Sequence, residues 1–217
     1  MSGQSQTDAL IEGLVAELRP VRRLAPPALR AAAWLLLVLV GAAVMASITD
    51  LHAMAVRLEA ALDMRLALAG STLTAILAVV SAFELSVPDR SRAWALLPLP
   101  AAALWVGASG MGCLPMWLLP GSKMGTLSHA THDCMMFIVG ISLPLSIVLF
   151  LMLRRARPLR PGLVAAMGGL AAAAAAASLL WFVQPYSAVA TDLAVHIIAA
   201  LIVVGIARFG GAWVLGG

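Results

Sequence analysis

The sequence predicts an all-α, polytopic membrane protein: a six-helix transmembrane bundle with both termini in the cytoplasm. Three observations lead there. The chain is 62% hydrophobic and only 11% charged, against about 45–50% and 25% in soluble domains. Several apolar runs reach about 20 residues, enough to cross a ~30 Å hydrocarbon core. The basic residues, finally, fall very unequally on the two sides of those runs.

Six spans are expected, at about 31–49, 66–87, 93–112, 132–153, 162–183 and 191–207. They divide the chain into a polar cytoplasmic segment (1–30), a six-helix domain (31–208) and a short cytoplasmic tail (209–217). With the N-terminus inside, the cytoplasmic side collects Arg19, Arg22, Arg23, Arg30, Arg90, Arg92, Arg154, Arg155, Arg157, Arg160 and Arg208. Arg57, Arg65 and Lys123 are left outside, so 11 of the 14 basic residues lie inside, as the positive-inside rule requires. This topology explains the net charge of +4 without direct nucleic-acid binding. It makes a multi-pass membrane protein with a cytoplasmic N-terminus the expectation.

The first thirty residues do not read as a signal peptide, because Asp8, Glu12 and Glu17 precede the arginines. Leu10, Ile11, Leu14, Val15 and Leu18 follow the spacing of one helix face. Ser5, with Asp8 three residues on, fits a capping box at its start, and Pro20 ends it. Such a stripe either lies on the membrane surface or docks in a partner's groove. The spacing allows both.

The polar stretch from Asp50 to Arg65 reads as a loop or short helix. Glu84, close to Pro88 and the arginines, reads as a snorkelled or salt-bridged interfacial carboxylate. In the fifth span the run Ala171–Ala177 and Gly168-Gly169 offer little side chain. Small residues let helices approach closely in lipid, so this helix is expected at the centre of the bundle.

The chemistry gathers at the outer mouth. Cys113, Cys134, His52, His129, His132 and His196 all fall there, with 8 of the 11 methionines. Thiolate, thioether and imidazole suit copper or other soft metals, and thiols and thioethers are readily oxidised. Read more plainly, methionine and cysteine are packing residues. At 100° per residue His129, His132, Asp133 and Met136 share a face and Cys134 points away. Cys134, His129, His132, His196 and Met136 form the candidate metal set. Asp192 and His196 are i, i+4 on the sixth span, where the carboxylate orients the imidazole or pairs with it structurally. Two cysteines in an oxidising compartment can form a disulfide or supply a metal ligand. No cofactor is assigned; a soft metal enters only as a signal.

There is no CxxC, phosphate loop, nucleophile elbow or HExxH, and so no sign of a turnover site. The segments DALIEGLVAELRPVRRLAPPALR (8–30), SVPDRSRAWALLPLPAAALWVGASGMGC (86–113) and RRARPLRPGLVAAMGGLAAA (154–173) resemble the NrsF family, six-span bacterial negative regulators of a sigma factor. The resemblance implies an anti-sigma factor. Its N-terminus would hold an extracytoplasmic-function sigma factor and release it under oxidative or metal stress sensed by outer cysteines. Cys134 resembles one such cysteine, and His196 the histidine of the last span. At the outer end of the fifth span the family carries a His-Cys pair, whereas this chain reads Trp181-Phe182-Val183-Gln184-Pro185. Cys113 would have to substitute for that cysteine. Two other functions compete: a small thiol oxidoreductase with quinone or haem, which the missing CxxC disfavours, and a metal permease, which lacks ligands deep in the bundle.

Overall fold

The computed structural model describes residues 2–16, 24–60, 62–111 and 129–182, with helical fragments at 201–202, 204–206 and 208–210. Among these every regular element is helical. They are α1 (Ser2–Ala16), α2 (Pro27–Ile48), α3 (Leu51–Ala60), α4 (Leu62–Leu85), a 3₁₀ turn (Arg92–Leu96), α5 (Leu99–Met111), α6 (His129–Arg154) and α7 (Pro161–Leu180).

Four helical segments rather than six are long and apolar enough to cross a membrane among the described residues: Pro27–Ile48, Leu62–Leu85, Arg92–Gly110 and Pro161–Leu180. The fourth span expected at about 132–153 falls within α6, of which Gly140–Arg154 counts as a shorter apolar helix among the described residues. Most of the expected sixth span lies outside the described residues. The Asp50–Arg65 stretch resolves into α3, whose start is set by Asp50. Its Oδ1 accepts from the backbone N–H of His52 at 3.0 Å and of Ala53 at 3.1 Å, an N-cap.

The capping box expected at Ser5 is not formed. The helix starts at Ser2, which puts Ser5 inside it.

Helix α7 is the axis of the bundle, as its composition predicts. Ala171 to Ala177 are all buried, at 3% exposure or less. It packs on α4, whose Ser71, Ala75, Ala78 and Ala82 make a matching buried stripe of small residues. On another side it meets α6, where Leu149 and Leu153 fill the space over Gly168. Gly70 does the same for the α4–α5 pair. A Cβ there would sit 2.7 Å from the Trp105 backbone nitrogen.

The outer surface is as apolar as the core. Leu36, Leu39, Val40 and Val44 of α2 and Leu143, Ile147 and Leu151 of α6 are all exposed. Helix α2 stands partly off the bundle, across an apolar groove of about 600 Å³ lined by Leu35, Leu39, Ile76 and Leu179. Its buried residues are Arg30, Ala31 and Trp34, all within its first turns.

Candidate functional site

Two regions bear on function. The first is α1. Leu10, Ile11, Leu14 and Val15 are 52–65% exposed, and every side chain described from Thr7 to Ala16 is exposed. One helix therefore offers a stripe of four apolar side chains that nothing in the bundle covers. Leu18, the fifth expected member, lies outside the described residues.

The second region is the start of α6. Its backbone is helical from His129, so the 100° register holds there. His129, His132, Asp133 and Met136 fall on one face and Cys134 about 100° beyond its edge. Met136 is exposed; nothing is described of the other four side chains. Cys113, Asp192 and His196 lie outside the described residues, and His52 is exposed at the start of α3. Among the described residues no three His, Cys, Asp or Glu side chains come together as a metal site.

What ties α6 to the rest was not singled out in the sequence. Arg30 Nη2 donates to the Met152 carbonyl at 2.7 Å, and Trp34 Nε1 donates to the Leu145 carbonyl at 3.1 Å. The two donors are one turn apart on α2. The two acceptors are two turns apart on one face of α6, a span the longer arginine side chain makes up.

The Met152 carbonyl is available because α6 tightens as it ends. The Ala156 N–H bonds to the Leu153 oxygen at 2.9 Å, one residue short of the α-helical partner, which is Met152. Arg157 then turns the chain out with φ of 44°. A guanidinium at a helix C-terminus also meets the negative end of the helix dipole, a contribution of about 0.3–1 kcal/mol and up to ~2 when partly buried. Arg30 further lies 4.7 Å from the centre of the Phe83 ring on α4, so it joins three helices. The sequence does contain a trace of this arrangement: an Arg and a Trp at i, i+4 opening an apolar span.

The same end of the bundle holds Glu84, whose Oε2 lies 2.8 Å from Arg90 Nε, an ion pair without the alignment of a hydrogen bond. The salt-bridged reading of this carboxylate is borne out. Ser81 Oγ donates to the Trp94 carbonyl at 2.8 Å and fixes the 3₁₀ turn beside α4. At the opposite end Ser178 Oγ donates to Ser71 Oγ at 3.0 Å. Thus the start of α2, the end of α4, the 3₁₀ turn and the end of α6 sit together. Arg30, Arg92 and Arg154 lie on three of them, and Arg90 follows the end of α4.

Comparison with protein families matches residues 14–216 to NrsF, described as a negative regulator of sigma F. The chain belongs to the NrsF family. No curated protein and no solved structure matches it. The NrsF match starts at Leu14, so it takes in Leu14, Val15, Arg30, Trp34 and all of α6, while Leu10 and Ile11 precede it.

Proposed function

We propose that this NrsF chain is a membrane-bound anti-sigma factor that sequesters an extracytoplasmic-function sigma factor on its N-terminal segment. It releases the factor when oxidant or a soft metal acts on the outer Cys/His/Met set. The chain crosses the inner membrane six times with both termini in the cytoplasm. Residues 1–30 form the capture segment, 31–208 the membrane domain and 209–217 the tail. Cys134, Cys113, His129, His132, Asp133, Asp192 and His196 make up the sensing set. The protein has no catalytic role in this reading.

One observation carries the proposal. In a family described as negative regulators of a sigma factor, this chain offers an uncovered apolar stripe ahead of its first long apolar helix. An amphipathic helix laid into a groove is a common way to hold a protein partner, and a negative regulator need only occupy its target. The four apolar helices and the lipid-like exterior of α2 and α6 support membrane insertion.

The test is to purify the full-length chain from its own cells and identify bound proteins by mass spectrometry. A sigma factor should co-purify, and Leu14→Asp should lose it while raising transcription of the genes it controls. A surface-lying helix would instead leave sigma binding and transcription unchanged in Leu14→Asp. That result would refute capture by the stripe.

A further inference from the structure

Resting on the anti-sigma reading, we infer that Arg30 and Trp34 are positioning residues for sigma capture. Their two hydrogen bonds to the α6 backbone hold the base of α2, and with it the attached N-terminal segment, in the capturing arrangement.

The argument starts from where α2 is gripped. It has 22 residues, yet only Arg30, Ala31 and Trp34 are buried, and an apolar groove separates much of the rest from α4 and α7. Its fully buried attachment is therefore concentrated in one turn, with Leu35, Val38 and Ala42 packed only partly buried beyond it, and that turn lies at the junction with the segment 1–30. Trp34 is fully buried and Arg30 is 8% exposed. Both donate across to α6, Trp34 at 3.1 Å and Arg30 at 2.7 Å.

The other partner in the grip is α6. It runs from the face bearing His129, His132, Asp133 and Met136 to the Met152 carbonyl as one helix of 26 residues. Both acceptors are backbone oxygens, so they follow the helix itself and not a side-chain rotamer. A slide of α6 by one residue along its axis, about 1.5 Å, moves both carbonyls together. A rotation about the axis does the same. Either motion stretches both bonds at once, because the donors are fixed on α2 only one turn apart. Leaving a buried guanidinium without its carbonyl is costly in an apolar surrounding, so α2 must follow α6 or let go. Packed helices with discrete hydrogen-bonded arrangements are the elements that can carry such coupling.

The experiment uses chromosomal variants of the full-length protein in its own cells. Deleting the gene defines the sigma-dependent genes by the transcripts that rise. Arg30→Met and Trp34→Phe, each at wild-type membrane abundance, should induce those same transcripts without any stimulus. The expected size is roughly 5-fold or more, the lower bound of an ordinary allosteric coupling. Arg30→Lys keeps a cation and a donor and should restore most of the repression. Val79→Ala opens the same buried core on α4 but spares both bonds, and should repress like the wild type.

Full repression in both Arg30→Met and Trp34→Phe overturns the inference while leaving the anti-sigma reading intact. Equal induction by Val79→Ala also overturns it, since general loosening of the bundle would then suffice. If deletion raises no sigma-dependent transcripts, the anti-sigma reading fails, and the positioning role goes with it.

Discussion

Arg30 and Met152 are 122 positions apart in sequence and 2.7 Å apart in space, guanidinium nitrogen on carbonyl oxygen. The contact joins the first turn of α2 to the last turn of α6. It is a long-range bond made by a residue whose charge, read locally, does no more than mark a helix as starting on the basic side. Interhelical hydrogen bonds in membranes average about 0.6 kcal/mol with a maximum of ~1.7. The Arg30 bond has more in its favour, since its donor is charged, its acceptor has lost its helical partner, and Phe83 covers the guanidinium.

The close approach of α4 and α5 at Gly70 makes a prediction about stability. A Cβ on Gly70 would meet the Trp105 backbone nitrogen at 2.7 Å and Cα at 2.8 Å, so α5 must move as a whole to admit it. Gly70→Ala should cost about 1–3 kcal/mol, measured by reversible unfolding in mixed micelles. Gly107→Ala, with open space around the same ideal Cβ, should cost nothing or stabilise slightly. Equal stabilities for the two variants would show that α4 and α5 do not pack this closely.

Orientation in the membrane is checked by reporter fusions. Fusions after Arg90 and Arg157 should report cytoplasm, and those near Arg57, Lys123 and Ser187 periplasm. The structure brings Arg30 at the start of α2, Arg90 just after α4 and the arginine-bearing end of α6 to one end of the bundle, and the positive-inside rule then puts that end in the cytoplasm. A cytoplasmic signal at Lys123 would place the Cys/His/Met set in a reducing compartment and rule out the sensing role proposed for it.

For sensing itself, Cys134→Ser should leave a repressor that no longer responds to hydrogen peroxide or copper. Cys113→Ser should do the same only where the signal is a Cys113–Cys134 disulfide, and should respond normally if Cys134 acts as a metal ligand with histidine. The readout is sigma-dependent transcription before and after challenge. A full response in Cys134→Ser would end the thiol proposal and transfer the question to His129 and His132.

Much of the helical layout was legible in the sequence. Ala171–Ala177 could be placed at the core because a helix without bulky side chains gains contact only when others close around it. The pairing of Glu84 was readable too, since its arginine lies six positions on and an uncompensated carboxylate is expensive at the edge of an apolar layer. The start of α1 was misread. A Ser–Asp pair matches the capping pattern, but the local sequence upstream continues the helix to Ser2. The sensing residues proved less legible, for helical spacing fixes their angular order along α6 and nothing about which helix faces them.

By itself the sequence determined the helices, their apolar length and the arginine-rich ends, because each is a property of residues against their solvent. Hydropathy and charge act on one segment at a time. Which helix meets which, and through which atoms, was decided only in the tertiary structure. The membrane-length helices are all apolar enough to face lipid, so hydrophobicity alone does not select their partners. Selection falls instead to shape, as where Gly70 admits Trp105, and to the carbonyls left open on a neighbour, as where Arg30 finds Met152.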